Sequence, residues 1–248
     1  MKTAQLYWCP EDGWQGNREL CGVCGNQNQI KEVPKKRADL YFLKELDQPV
    51  PGVTAILKVL AKPQLIHWAA KTAASAALKN PGLSLEQATN TIYESRDKAG
   101  NKGHEVHKII DNLYKGMKYN FDTLPDTVKP YMKAFEKFQA SFPHTIIASE
   151  KTIFSRKHQY AGTMDRILQD SAKKIWLIDY KTSNGVYPDQ GLQLRAYKEA
   201  AEEMKLVEKI DHMAIIHLKE DGTYSLIEMD EPFEVFLALK RVYEWNKS

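Results

Sequence analysis

Beyond Cys24 the chain contains no cysteine: all three, Cys9, Cys21 and Cys24, crowd one end of a 248-residue sequence. An odd number so placed argues against a disulfide framework and towards metal. Long apolar runs are also missing. No stretch approaches the roughly 18 residues that a membrane-spanning helix needs. The opening MKTAQLYWCPEDG has no apolar core of a signal peptide. A cytoplasmic protein with no membrane segment is therefore expected, and disulfides do not persist in that compartment. Neither sign of charge is in excess: 35 Lys and Arg stand against 32 Asp and Glu, leaving +3. That balance is compatible with a nucleic-acid partner without requiring one. Internal repeats and low-complexity tracts are absent, so no repeat architecture is expected.

What is present is an ordinary globular composition, 43% apolar and 10% aromatic, in a chain long enough to bury a substantial core. Residues 1–30 form a compositional island rich in Gly, Asn, Gln, Trp and Cys; residues 31–39, with Lys35-Lys36-Arg37 after Pro34, read as a basic linker; residues 40–248 form the main domain.

Within that domain Tyr41-Phe42-Leu43 has the character of a short strand. Thr54 is a plausible N-cap for a helix to Leu60. Pro63 opens the next helix, which Pro81-Gly82 ends. Ser84 with Gln87 forms a capping box for a helix through Tyr93. From Lys98 to Tyr114, Val106, Ile109, Ile110 and Leu113 fall at i, i+3, i+4 and i+7, the stripe of an amphipathic helix. A further helix is expected over about residues 126–140. The period then changes: HTIIASEKTIFS, YAGTMDRILQD and KIWLIDYKTS read as three strands. A helix over 188–204, a hairpin through Asp221-Gly222 and a C-terminal helix over 231–246 complete the pattern. The fold class expected is α/β, a mixed central sheet flanked by helices.

The chemistry gathers at strand ends. Side chains alternate along a strand, so Asp179 and Lys181 face the same way as Leu177, while Thr163, Asp165 and Ile167 share a face of the preceding strand. If those strands are neighbours, two carboxylates converge beside an ammonium. Carboxylates without a cation between them repel and raise each other's pKa. A divalent ion resolves this, and Mg²⁺ favours carboxylate, water and phosphate oxygens. A nearby lysine can stabilise developing charge, or deprotonate or orient a water. Taken alone, an Asp-x-Lys triplet at a strand's end is more often a surface ion pair than a catalytic site.

The ordered series GHEVHKIID, SEKTIF, YAGTMDRI, WLIDYKTS and LQLRAY resembles the PD-(D/E)xK nucleases of the RecB type over about residues 40–245. That branch includes phage exonucleases, CRISPR-associated RecB-like nucleases and the mitochondrial genome-maintenance exonuclease. The resemblance implies a restriction-endonuclease-like core and a metal-dependent DNA exonuclease; an endonuclease and a nucleic-acid-binding module without activity stay open beside it. It implies that Asp165, Asp179, His107 and the Tyr180 carbonyl hold Mg²⁺ or Mn²⁺, with Lys181 as the catalytic lysine. Glu150 matches an acid of the preceding strand. Gly103, His107 and Asp111 satisfy a Gly-x-x-x-His-x-x-x-acid helix motif, one face of one helix. Gln193 and Tyr197 would brace the site and contact the substrate backbone, and Thr182 and Ser183 would either donate to a phosphate or end the strand. His104 is read as solvated or facing DNA. The segment PVPGVTAIL is similar to the start of phage exonucleases, with Gly52 where Ser is common.

Cys21-x-x-Cys24 is half of a tetrahedral Zn²⁺ site. With Trp8, Cys9 and Asn17 it resembles the Ran-binding type of zinc finger, except that Asp12 stands where the second cysteine belongs. A Cys₃Asp zinc site and a degenerate finger without metal are both open. No iron–sulfur cluster is expected, because no cysteine follows Cys24. Trp8 and Trp14 either pack this small unit or stack on unpaired bases, and the segment is a candidate for contact with a protein partner.

Overall fold

The computed structural model describes residues 39–46 and 48–247, with the backbone of three short strands before them. Those strands, β1 (Leu6–Trp8), β2 (Gln15–Gly16) and β3 (Lys31–Val33), pair antiparallel in the order β2-β1-β3. Lys31–Val33 was expected in the linker but pairs back onto Leu6–Trp8. Cys9, Asp12, Cys21 and Cys24, and the basic run Lys35-Lys36-Arg37, lie outside the described residues.

The main domain is a mixed α/β structure built on five strands: β6 (His144–Ser155), β7 (Tyr160–Asp170), β8 (Ile175–Lys181), β9 (His212–Leu218) and β10 (Tyr224–Glu228). Their spatial order is β10-β9-β8-β7-β6. Pairing is antiparallel except between β8 and β9, which run parallel with Asp179 opposite Ile215 and Lys181 opposite His217. The parallel pair requires a crossover, supplied by helix α5 (Pro188–Glu203).

Both faces of the sheet are covered. Strand β8 shows how: Leu177 meets a core that includes α1 (Val53–Leu57), α5 and α6 (Phe233–Trp245). Trp176, Ile178 and Tyr180 point the other way, onto the second half of α3 (Leu85–Tyr114) and onto α4 (Lys129–Ser141). Continuous apolar runs such as Trp176-Leu177-Ile178 are what a strand buried on two faces demands. Phe135, Phe138, Ile110 and Val106 are fully buried on the α3–α4 side, each side chain contributing about 1.5–3 kcal/mol by leaving water.

Three expectations are corrected. The helices read over Ser84–Tyr93 and Lys98–Tyr114 are one helix of 30 residues, α3, opened by the Ser84–Gln87 capping box. Residues 94–97 contain no breaker, and Gly100 and Gly103 are tolerated inside it at a modest cost each. Helix α1 begins at Val53 behind Gly52, with no side-chain cap from Thr54. Gly52 is held by its own backbone, its N–H donating to the Asp39 carbonyl at 2.8 Å. A Cβ there would come within 3.0 Å of the Tyr41 ring, so glycine suits this position. The strand read at Tyr41 is Leu40–Tyr41 (β4), paired with Val50–Pro51 (β5).

Helix α2 (Pro63–Lys79) behaves differently from the rest. It buries none of its 17 residues and runs beside the first half of α3 as an arm. Its base is tied to α5 by Lys62 and Asp189, 2.6 Å apart. Among the described residues no helix is long and apolar enough to cross a membrane.

Helix α5 sits so close to β7 that a Cβ on Gly162 would lie 2.4 Å from the Tyr197 ring. Tyr197 is buried and accepts a hydrogen bond from Gln193 Nε2 (3.0 Å). Gly162→Ala is therefore expected to destabilise the protein by about 1–3 kcal/mol through overpacking. A lower urea midpoint at unchanged slope checks this; an unchanged midpoint would show that the helix yields freely.

Candidate active site

Strand β7 loses its ladder partners on both sides at Asp165. On the β8 side the pairing ends at Arg166 opposite Ile178. Beyond it, the Asp165 carboxylate takes over from the backbone, Oδ2 accepting the Tyr180 N–H at 2.9 Å. On the β6 side, Ser149 pairs with Arg166 and Lys151 with Met164, so Glu150 stands opposite Asp165 without a pairing of its own. Glu150 has φ of 44°, a left-handed backbone that costs a non-glycine residue on the order of 1–3 kcal/mol. Strain at that one position turns its carboxylate towards Asp165.

Helix α3 brings the third member. His107 Nε2 lies 2.9 Å from the Tyr180 carbonyl, and Nδ1 lies 3.4 Å from Asp165 Oδ2. A carbonyl only accepts, so Nε2 carries the proton and Nδ1 turns towards the carboxylate. In the neutral ring this aims a lone pair at an anion, an arrangement that a cation between them relieves. Ligand atoms of His107, Glu150 and Asp165 all lie within 4.8 Å of one another. One imidazole and two carboxylates form a suitable donor set for a hard or borderline divalent ion.

Burial, and then the charge of Asp179, push the Asp165 carboxyl up to about 6, against the opposing pull of His107, Lys181 and the Tyr180 N–H. Asp179 is buried and its Oδ2 sits 2.5 Å from Lys181 Nζ. Burial works to lower the lysine's pKa, but Asp179 and Asp165 hold it above the ordinary value. Lys181 is thus a charged ammonium at neutral pH.

The remaining sequence-designated residues divide. Asp179 is beside the cluster and engaged with Lys181. The Tyr180 carbonyl, expected as a ligand, accepts from His107 and retains a second lone pair. Its side chain is buried on the far face, where its hydroxyl meets that of Tyr114 at 3.0 Å. Gly103 lets α3 approach the end of β8, since a Cβ there would be 3.3 Å from Thr182 Oγ1. Ser183 Oγ donates to the Gly185 carbonyl (2.7 Å), which commits it to the turn. Gln193 and Tyr197 bond each other, and burial raises the tyrosine's pKa. His104 lines the cleft that opens over the cluster. Asp111 lies outside the ligand set.

Asp111 instead completes a contact that the sequence reading missed. Arg166 is fully buried, with Nη1 3.1 Å from Glu150 Oε1, Nη2 3.5 Å from Asp111 Oδ1 and the guanidinium 4.9 Å above the Tyr114 ring. Nη1 also donates to the Asp165 carbonyl at 2.6 Å. A signal existed: Arg166 lies two residues before Leu168, which is buried on the α3–α4 side, and a charge in phase with a buried apolar residue needs acids to meet it.

The family model of the PD-(D/E)XK nuclease superfamily matches residues 41–242, most of the chain. The chain belongs to that superfamily. The nuclease has distant likenesses among solved structures: SSO0001 is 14% identical over 79% of this chain and 75% of its own, with a TM-score of 0.35. An alkaline exonuclease (LHK-Exo) from Laribacter hongkongensis is 14% identical over 46% of this chain and 66% of its own, with a TM-score of 0.30. No curated protein matches the nuclease.

Two expectations follow for the nuclease. Asp165 ionises near 6 when folded against an ordinary 3.8, so between those values the folded state holds more protons than the unfolded one. Stability of the metal-free protein then falls as pH rises through that window, by up to about 3 kcal/mol. Urea titrations of wild type against Asp165→Asn isolate this loss, and Mg²⁺ should recover it; a loss that Mg²⁺ leaves untouched would show that the ion does not reach Asp165. Secondly, Arg166→Lys keeps the charge but loses the fork that holds Glu150. Calorimetric titration with Mn²⁺ is expected to show about 10- to 100-fold weaker binding; unchanged affinity would show that Glu150 needs no such support.

Proposed function

We propose that the protein is a divalent-metal-dependent DNA exonuclease of the phage type, hydrolysing phosphodiester bonds in recombination, replication or DNA degradation. The observation that carries the hydrolytic reading is the convergence of His107, Glu150 and Asp165 beside the Asp179–Lys181 pair at the end of one sheet. The exonuclease branch is supported by the order of its motifs, from the Gly103–His107–Asp111 helix to the Gln193–Tyr197 helix.

His107, Glu150 and Asp165 would hold Mg²⁺ or Mn²⁺, with Asp179 adding negative charge alongside. Such an ion would supply a positive charge that polarises the phosphate and offsets the negative charge gathering on its oxygens when water attacks phosphorus and the bond to the leaving oxygen breaks. Lys181 adds a fixed ammonium at the same place. Because its neighbours hold it protonated, it serves by orienting a water or a phosphate oxygen and by neutralising charge. Accepting a proton is the lesser role for it. Asp179 keeps that ammonium in position. Arg166, out of contact with substrate, positions Glu150.

Purified protein with Mg²⁺ or Mn²⁺ is expected to degrade linear DNA, with EDTA abolishing the reaction. Lys181→Ala should lower the rate by about 100-fold or more, the scale of one electrostatic donor. A covalently closed circle should survive. Cleavage of the circle would make the enzyme an endonuclease. No cleavage of any DNA, or full activity of Lys181→Ala, would refute the catalytic reading.

A further inference from the structure

A groove leads away from the cluster. A cleft of about 870 Å³ has His107, Glu150 and Lys181 along one side and Gln64, Leu65 and Trp68 of α2 along the other. A second cleft, of about 530 Å³, continues from it, and Trp68 and Ser95 line both. Beyond Trp68 its α2 wall is formed by Lys71, Thr72, Ser75, Ala76 and Lys79, and Thr91 and Ser95 of α3 line it too. From Gln64 to Lys79 the helix extends about 22 Å at 1.5 Å per residue.

The lining is selective. Helix α2 contains no acidic residue, and Lys71 and Lys79 are exposed without an ion pair among the described residues. The acids of this part of α3, Glu86, Glu94 and Asp97, are absent from the lining. Lysines and hydroxyls spaced along a groove suit a chain of phosphates. A half-buried indole where the two clefts join suits a flat apolar partner. The two together are the means by which proteins hold single strands without regard to sequence: cations follow the backbone and aromatics stack on bases. In a duplex the base faces are covered by their neighbours in the stack, and Trp68 would have nothing to meet.

We propose that the groove between α2 and α3 takes an unpaired DNA strand, with one base stacked on Trp68 and phosphates along Lys71 and Lys79, and delivers it to the metal-holding cluster. This rests on the nuclease reading and names its substrate as single-stranded DNA. It also accounts for an arm that buries nothing of its own in the domain.

Binding is measured in EDTA, so that no cleavage intrudes, by fluorescence anisotropy of a labelled oligothymidylate and of a blunt duplex. The single strand is expected to bind more tightly. Trp68→Ala should weaken single-strand binding about 5- to 150-fold, with Trp68→Phe restoring most of it. The double variant Lys71→Glu, Lys79→Glu, altered only at exposed positions, should flatten the slope of log affinity against log salt by about 1.4, or about 0.7 for each phosphate that the lysines no longer neutralise. Equal affinity for duplex and single strand, or a Trp68→Ala variant that binds the strand like wild type, overturns the proposal. An unchanged salt slope in the lysine variant does so too. A protein that shows all these binding effects yet hydrolyses no DNA with Mg²⁺ or Mn²⁺ leaves the groove standing and removes the nuclease reading instead.

Discussion

Like charges packed at the end of one sheet are the constraint from which the rest of this structure follows. Asp165, Asp179 and Glu150 lie close together with the first two largely withdrawn from water, and such a set cannot all ionise without compensation. The fold supplies part of it. Lys181 neutralises Asp179 from its own strand. Arg166 reaches Glu150 and Asp111. Asp165 is met by the Nδ1 edge of His107, which brings no proton of its own. What is left over is a pair of carboxylates and an imidazole lone pair with no proton to share, and this remainder of unbalanced charge is the chemical asset of the site.

The backbone contributes as much as the side chains. A continuous ladder through Asp165 would have satisfied every N–H and C=O and left no opening. Instead the carboxylate accepts the Tyr180 N–H, while Glu150 adopts a left-handed conformation opposite. Such strain persists only where the surroundings hold it, and the guanidinium of Arg166, itself fixed by Asp111 and Tyr114, is that support. The aromatic packing of Phe135, Phe138 and Tyr180 on the far face keeps β8 rigid beneath the reacting groups.

Much of this was legible in the sequence because it depends on local periodicity. The strands, the amphipathic stripe of α3 and the Asp-x-Lys pair are patterns of two or about four residues, and they survive being read one segment at a time. That Glu150 comes to stand opposite Asp165 is a matter of register between strands, which no single segment encodes. The length of α3 was hidden by a polar middle that looks like a loop but contains nothing to stop a helix. The cap of α1 was misread because Thr54 has the right chemistry, while backbone contacts of Gly52 already perform its task. Arg166 was visible as a charge in phase with the buried Leu168. Its meaning depended on knowing that Asp111, distant in sequence, comes within 3.5 Å.

Helix α2 separates two kinds of selection. Substituting a residue that is buried nowhere costs little stability, usually within about half a kcal/mol, whereas every position around Asp165 is tied to several others. Mutation can therefore reshape the arm again and again while the sheet end stays fixed. Because none of its 17 residues is buried, the surface chemistry of the arm can change while the packing beneath the sheet end is left as it is.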